Sequence, residues 1–318
     1  MKNLLVAQSG GPTSAINATL AGVVENALSS PSVDRIYGSI NGIQGVLTEN
    51  LINLKTKITN VSELDLLCQT PASALGSCRV KLKDPAVCAD EYETIISVLR
   101  KYNIDCFIYI GGNDSMDTVD KLSKYLNTKG ITDITVVGAP KTIDNDLCGT
   151  DHCPGFGSAA KYIGTTFAEL ERDCYVYATK AVTIVEVMGR DAGWLTAASC
   201  LARANGAKGP DFIYLCEVPL SIDTFLKDVK AKLEEQDAVI IAVSEGVKNK
   251  DGRYISEEVQ SSAVDSFGHS YIAGAAKVLE DAVRNEIGCK VRSIELNLMQ
   301  RCAAHLASAT DIQESRML

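Results

Sequence analysis

Eight short apolar runs punctuate this sequence, and between most of them lies a stretch with apolar residues at helical spacing. The runs are Asn3–Gln8, Arg35–Ile40, Asp105–Ile110, Thr135–Gly138, Val182–Val187, Phe212–Cys216, Val239–Val243 and Val291–Leu296. They are continuously apolar rather than alternating, the pattern of strands buried on both faces. The intervening stretches Thr13–Ala27, Asp90–Tyr102, Ser115–Leu126, Ser158–Asp173, Ala192–Arg203, Ser221–Glu235 and Tyr271–Asn285 read as helices. This alternation predicts an α/β fold with a parallel sheet covered on both sides. At 318 residues the chain exceeds one typical domain, so two packed domains are expected. The most polar stretch, Gly246–Gly268, reads as an exposed loop.

Charge excludes some partners. With 31 basic and 40 acidic side chains the net charge is −9, a poor match to nucleic acid or an anionic membrane. A polyanionic ligand would therefore need a local basic pocket in an acidic body. No apolar run approaches the roughly 18 residues of a membrane span. The eleven cysteines sit singly, without a Cys-x-x-Cys pair, and the N-terminal apolar run is too short for a signal peptide. Reduced thiols and a cytoplasmic location are the expectation. His152, His269 and His305 form no zinc motif.

In open α/β sheets, ligands bind beyond the carboxyl ends of the strands. The turns there are unusual: Gln8-Ser9-Gly10-Gly11, Gly111-Gly112-Asn113-Asp114-Ser115, Pro140–Asp146 and Met188-Gly189-Arg190. Paired glycines before a helix admit a phosphate close to the backbone; a tight turn with no ligand is the alternative. Ser115 or Asp114 can serve as a helix cap alone. Asp144 and Asp146, two apart in what reads as an extended loop, point the same way. They suit a metal ligand or a general base, or else a solvated loop. Arg79, Arg190, Arg292 and Arg301 are expected at or near strand ends and, with Lys141, supply the basic pocket a polyanion requires. Neither GxGxxG nor GxxxxGK[ST] occurs.

Taken in order, these motifs resemble the phosphofructokinase family. They are SGG near the start, GSCR at Gly76–Arg79, GGNDS at Gly111–Ser115, PKTIDND at Pro140–Asp146, EVMGR at Glu186–Arg190, SEG at Ser244–Gly246 and R-x8-R at Arg292–Arg301. The resemblance implies two similar three-layer α/β/α domains with mostly parallel sheets. Residues 1–152 would bind the phosphoryl donor and 153–300 fructose 6-phosphate, with substrates meeting in the cleft between them. Residues 301–318 would return toward the first domain, and the chain looks short beside the family. Asp144 matches the general base, with Thr142 and Asp146 holding substrate and magnesium. Met188, Gly189 and Arg190 match sugar-phosphate contacts, and Glu245 a contact to sugar hydroxyls. Arg292 matches an arginine that reaches the sugar 6-phosphate across a subunit interface, and Arg301 one that binds it within the subunit. Gly10, Gly11, Arg79 and the turn at Gly111–Ser115 match the donor side. Asn113 and Asp114 are the expected Mg2+ ligands there. A homodimer or homotetramer is implied.

The donor follows from two positions. ATP-using members carry glycine where this chain has Asp114 and Lys141, and the pair resembles the pyrophosphate-using branch. Asp114 places a carboxylate where a nucleotide α-phosphate would lie, and Lys141 matches the charge of pyrophosphate. The resemblance implies reversible phosphoryl transfer from pyrophosphate to the 1-hydroxyl of fructose 6-phosphate, by positioning and charge neutralisation. An ATP-dependent phosphofructokinase, a non-catalytic subunit of the family and action on sedoheptulose 7-phosphate are the competing readings. Four positions depart from the family pattern: Asn113 replaces an aspartate, Leu298 a histidine and Ala181 an interface arginine, while Ala21 and Glu25 replace effector-site arginines. No response to ADP or phosphoenolpyruvate through that last site is expected.

Overall fold

The computed structural model describes residues 2–258 and 274–318. The chain divides into two compact units. The first comprises Met1–Ile143, Leu147–Ser158 and Arg301–Leu318, and the second Asp144–Asp146 and Ala159–Gln300.

The first unit is built on a sheet of β1 (Lys2–Gln8), β2 (Val33–Ser39), β3 (Leu51–Asn53), β4 (Ile104–Gly111) and β5 (Thr135–Pro140). Their order is β3-β2-β1-β4-β5, and every pairing is parallel except β2 with β3. Helices α1 (Ile16–Ser29), α2 (Gly42–Leu47), α3 (Val61–Gln69), α4 (Ala89–Lys101) and α5 (Asn113–Thr128) connect them. Successive strand residues serve opposite layers, as strand geometry requires. Leu5, Ala7, Phe107 and Tyr109 join one buried cluster, while Val6, Ile36 and Ile110 join another. The α4 helix carries Asp90 and Glu91 in its first turn and Arg100 and Lys101 in its last. Those charges match the helix dipole at both ends.

The second unit holds a parallel sheet of order β7-β8-β6-β9, from β6 (Ala181–Val187), β7 (Phe212–Tyr214), β8 (Ala238–Ser244) and β9 (Lys290–Glu295). Most of α6 (Phe156–Cys174), α7 (Trp194–Ala197), α8 (Ile222–Glu235) and α9 (Ala275–Glu286) belong to it. Val182, Ile184, Val239, Ile241 and Val243 pack with Phe225 and Val229 of α8 and Leu279 and Val283 of α9. After β9 come α10 (Met299–Cys302) and α11 (Ala309–Met317), the latter in the first unit.

All eight predicted strands form. The helix expected over Ala192–Arg203 does not: α7 ends at Ala197 and the backbone tightens to 3-10 turns over Ala198–Asn205. The Ser199 hydroxyl donates to the Thr196 carbonyl at 2.6 Å, a side-chain bond that competes with α-helical pairing. Of the stretch expected as an exposed loop, Gly246 and Val247 are buried, Lys248 bridges Tyr254, and Ile255–Glu258 forms a 3-10 turn. Residues 250–253 are exposed as expected, while residues 259–268 of that stretch and 271–273 of the last predicted helix lie outside the described residues. No two of the eleven cysteines are joined in a disulfide. No helix among the described residues is long and apolar enough to cross a membrane.

Leu5 is wholly buried at the centre of the first sheet. Leu5→Ala is expected to lower the unfolding free energy by about 2–5 kcal/mol, read from urea titration of the far-ultraviolet circular dichroism.

Candidate active site

In the first unit, parallel pairing brings three turns to one edge of the sheet. Ser9 N–H donates to the Ile110 carbonyl at 2.8 Å, and Lys141 N–H to the Gly111 carbonyl at 2.9 Å. The turns leaving β1, β4 and β5 are thus adjacent. The Lys141 side chain is buried, and its ammonium donates to the Gly11 carbonyl at 2.7 Å. Gly10 has φ +75°, and a methyl group there would stand 3.1 Å from the Lys141 ammonium. Only glycine meets both the left-handed conformation and that approach. A methyl group on Gly11 would stand 2.7 Å from a guanidinium nitrogen of Arg301. Two cations therefore flank the Gly10–Gly11 turn, a local basic pocket in an acidic chain. Arg301, expected at the sugar phosphate, lies against the turn expected to serve the donor.

Gly112 caps α5, so Asn113 and Asp114 occupy its first turn, where the helix dipole favours an anion. The Asp114 carboxylate accepts from Lys81 at 3.0 Å. Lys81 is more than half exposed, and this bond raises its pKa. A pair so open to water is easily exchanged for another cation. Arg79 is exposed and follows no strand; it lies in the irregular segment between α3 and α4, which corrects its expected place near a strand end. The carbonyl of Cys78 before it accepts from Gly10 N–H at 3.3 Å and from the Ser9 hydroxyl at 3.3 Å. That ties Arg79 to the glycine turn through one backbone unit.

The segment carrying the two aspartates is not extended. Asn145 has φ +56°, in the left-handed region that asparagine tolerates better than most residues. A reversal there replaces the simple alternation that would have pointed Asp144 and Asp146 the same way. Asn145 is buried, Asp144 half-buried and Asp146 exposed. Thr142 pairs with the following segment: its N–H donates to the Pro154 carbonyl at 3.1 Å, and it forms a parallel bridge with Gly155.

In the second unit the turns after β6 and β8 lock onto each other. Gly189 N–H donates to Glu245 Oε1 at 3.2 Å, and the Ser244 hydroxyl donates to the Gly189 carbonyl at 2.7 Å. A methyl group on Gly246 would stand 1.8 Å from the Arg190 carbonyl, so the contact admits only glycine. Met188 N–H donates to the buried Gln300 side chain at 3.2 Å. Met188, Glu245 and Gln300 line a small pocket with Glu186, Glu295 and Asn297. Arg190 has its Nε buried without a hydrogen-bond partner, a donor suited to an anion. Arg292 is elsewhere, near the start of β9 and so near a strand end as expected, but at the opposite edge of the sheet from the Met188 turn. It lies within β9 opposite Thr183, near the start of β6, while Met188 follows that strand's end. With Lys290, Cys174 and Tyr177 it lines a separate, larger pocket. Ala181, at the position of an interface arginine, lines that cavity too. Leu298 is exposed. Ala21 is fully buried and Glu25 accepts from Arg316.

Sequence reasoning missed Glu186, Gln300 and Lys81 as contributors. Glu186 had a signal: it is the one charged residue inside the apolar run Ala181–Val187. Its carboxylate is buried and accepts from Ala276 N–H at 2.8 Å and Gly274 N–H at 3.1 Å. Burial pushes its pKa up to about 7; the backbone donors oppose this, and Glu295 and Glu245 add to it.

Residues 3–314 match the phosphofructokinase family. The chain is 40% identical over 316 residues to the pyrophosphate–fructose 6-phosphate 1-phosphotransferase of Xanthomonas campestris pv. campestris, covering 99% of this chain and 74% of that protein. To the enzyme of the same name from Methylococcus capsulatus it is 38% identical over 317 residues, covering 99% and 74%. The crystal structure of pyrophosphate-dependent phosphofructokinase from Nitrosospira multiformis superposes with a TM-score of 0.85 at 37% identity, over 99% of this chain and 74% of that one.

A carboxyl whose pKa rises on folding is best tolerated while protonated. Its contribution to stability is fully present below its ordinary value of 4.5 and is lost as pH rises through about 7. Glu186→Gln removes this titration. The stability of the unchanged protein relative to the variant is expected to fall across that window, by on the order of 3 kcal/mol, in chemical denaturation repeated over pH.

Proposed function

Because this chain belongs to the phosphofructokinase family, we propose that it reversibly transfers a phosphoryl group from pyrophosphate to the 1-hydroxyl of fructose 6-phosphate. The observation that carries the donor choice is Lys141, a buried cation held against the Gly10–Gly11 turn. A compact diphosphate supplies the anion such a cation favours, and Asp114 opposes the further phosphate of a nucleotide.

Each unit then has a task. The first takes pyrophosphate on the turns at Gly10–Gly11 and Gly111–Ser115, with Lys141 and Arg79 offsetting its charge. The second takes the sugar phosphate, with Arg190 and the Met188–Gly189 turn on phosphate and Glu245 on hydroxyls. Asp144 accepts the proton of the 1-hydroxyl as that oxygen attacks phosphorus, and in the reverse direction it returns the proton to the leaving sugar oxygen. Arg301 beside Gly11 adds a forked donor to phosphate binding. Arg292 faces away from the Met188 turn of its own sheet, which supports service to a neighbouring subunit in a homodimer or homotetramer. Together with the acidic charge, these features support a cytoplasmic enzyme of glycolysis and gluconeogenesis.

Among the described residues, no group of three or more His, Cys, Asp or Glu side chains is placed to hold a metal. Magnesium usually takes one or two protein carboxylates and completes its shell with phosphate oxygens and water, and Asp114 in the first turn of α5 is such a carboxylate. Asn113 and Asp114 are the oxygen donors proposed to hold it, with Lys81 able to leave Asp114. Bound there, it would offset the charge of the transferring phosphoryl group.

A coupled assay with magnesium and fructose 6-phosphate tests the reading. Turnover is expected with pyrophosphate and at least about a hundredfold less with ATP. Equal or better turnover with ATP would make the chain an ATP-dependent phosphofructokinase; no turnover with either donor would favour a non-catalytic subunit. The double variant Lys141→Gly, Asp114→Gly is expected to gain ATP use and lose pyrophosphate use. Asp144→Asn is expected to lower kcat by about 10²–10⁴ with KM values little changed.

A further inference from the structure

We propose that Asp311, in α11, is a positioning residue for the loop that runs from Lys141 to Asp144, acting through the segment Pro154–Ser158. The inference rests on the reaction proposed above for that loop, and its structural part can be judged without it.

Asp311 is a buried carboxylate at 4% exposure. Its Oδ1 accepts from Gly155 N–H at 2.9 Å. Its Oδ2 accepts from Ser158 N–H at 2.9 Å and from the Ser158 hydroxyl at 2.6 Å. The Ser315 hydroxyl adds a long contact at 3.5 Å. The Ser158 oxygen in turn accepts from Ser308 N–H at 3.1 Å, just before α11. Among the described residues, the donors to this carboxylate are all neutral. Burying a carboxylate that way is costly unless each bond is made. Gly155 is also the bridge partner of Thr142, and the Pro154 carbonyl receives the Thr142 N–H. One side chain on α11 therefore fixes the strip on which the loop leans, two residues ahead of Asp144.

Docking of α11 to the rest of its unit uses different groups. Arg316 donates to Glu25 and to Asp65, each at 2.9 Å, and these bonds push its guanidinium pKa up. His152 meets Glu314 at 2.6 Å. Those contacts hold the helix without involving Gly155 or Ser158. This separation makes the idea testable, because anchoring and positioning can be removed independently.

Three variants of the full chain decide it. Asp311→Asn keeps the shape and removes the charge, Ser158→Ala removes one donor from the other side, and Arg316→Gln removes the anchor. Asp311→Asn is expected to lower kcat with pyrophosphate by roughly tenfold while KM for fructose 6-phosphate moves less than about twofold. Ser158→Ala is expected to act in the same direction and more weakly. Arg316→Gln is expected to lower the thermal midpoint and leave kcat unchanged. Hydrogen–deuterium exchange supplies a readout independent of turnover. Amides of residues 142–158 are expected to exchange faster in Asp311→Asn, with β1 and β4 unchanged. The proposal is overturned if kcat is unaltered in Asp311→Asn, if Arg316→Gln lowers kcat equally, or if faster exchange is confined to α11. If Asp311→Asn does not fold, Ser158→Ala decides by the same criteria. Absence of turnover in the unchanged protein would count against the proposed reaction only, since the exchange measurement still decides the role of Asp311.

Discussion

Parallel pairing of β4 with β1 on one side and β5 on the other is the constraint from which the first unit's chemistry follows. Parallel strands run the same way, so the turns that leave them gather at one edge. Here they deliver Ser9–Gly11, Gly112–Asp114 and Lys141–Thr142 side by side, with backbone bonds from Ser9 to Ile110 and from Lys141 to Gly111. β1 and β4 are largely buried on both faces, which fixes their register against slippage. A lysine placed after β5 is therefore carried into contact with a glycine turn 130 residues earlier in the chain.

The second unit uses the same construction with different polar parts. Its parallel β6 and β8 bring the Met188–Arg190 and Ser244–Gly246 turns together, and the closeness of Gly246 to Arg190 leaves no slack between them. Glu245 binds the backbone of the neighbouring turn, so a residue suited to sugar hydroxyls also shapes the turn suited to phosphate. Glu186 lies beneath both, buried and tied to the first turn of α9. Its neighbours Glu245 and Glu295 make the cavity acidic, in contrast to the cations around Gly10–Gly11. An acidic protein thus carries a carboxylate-lined pocket in one unit and a cation-flanked glycine turn in the other.

Much of this was legible in the residues. The eight apolar runs were strands because branched side chains buried on two faces leave no other economical arrangement in a chain of this kind. The glycine turns were legible from their place after those strands. What escaped has identifiable causes. β3, α2 and α3 are too short for periodicity to register. The 3-10 segment at Ala198–Asn205 kept a helical pattern of apolar residues while Ser199 redirected a backbone bond. The reversal at Asn145 was hidden because asparagine is compatible with both extended and left-handed backbone. Arg79 looked like a strand-end arginine only because the irregular segment around it contains apolar residues.

The sequence by itself determined the kinds of element, their alternation, the glycines that admit close approach, and the ordered motifs shared with the phosphofructokinase family. These are local properties, written within a few residues by side-chain shape and backbone freedom. Only the tertiary structure decided which charges meet. It brought Arg301 to Gly11, Lys81 to Asp114 and Asp311 to Gly155, and it turned Arg292 to the opposite end of its sheet from Met188. Those partners are distant in the chain. Their pairing depends on how whole helices and sheets pack, and no local period or propensity carries that information.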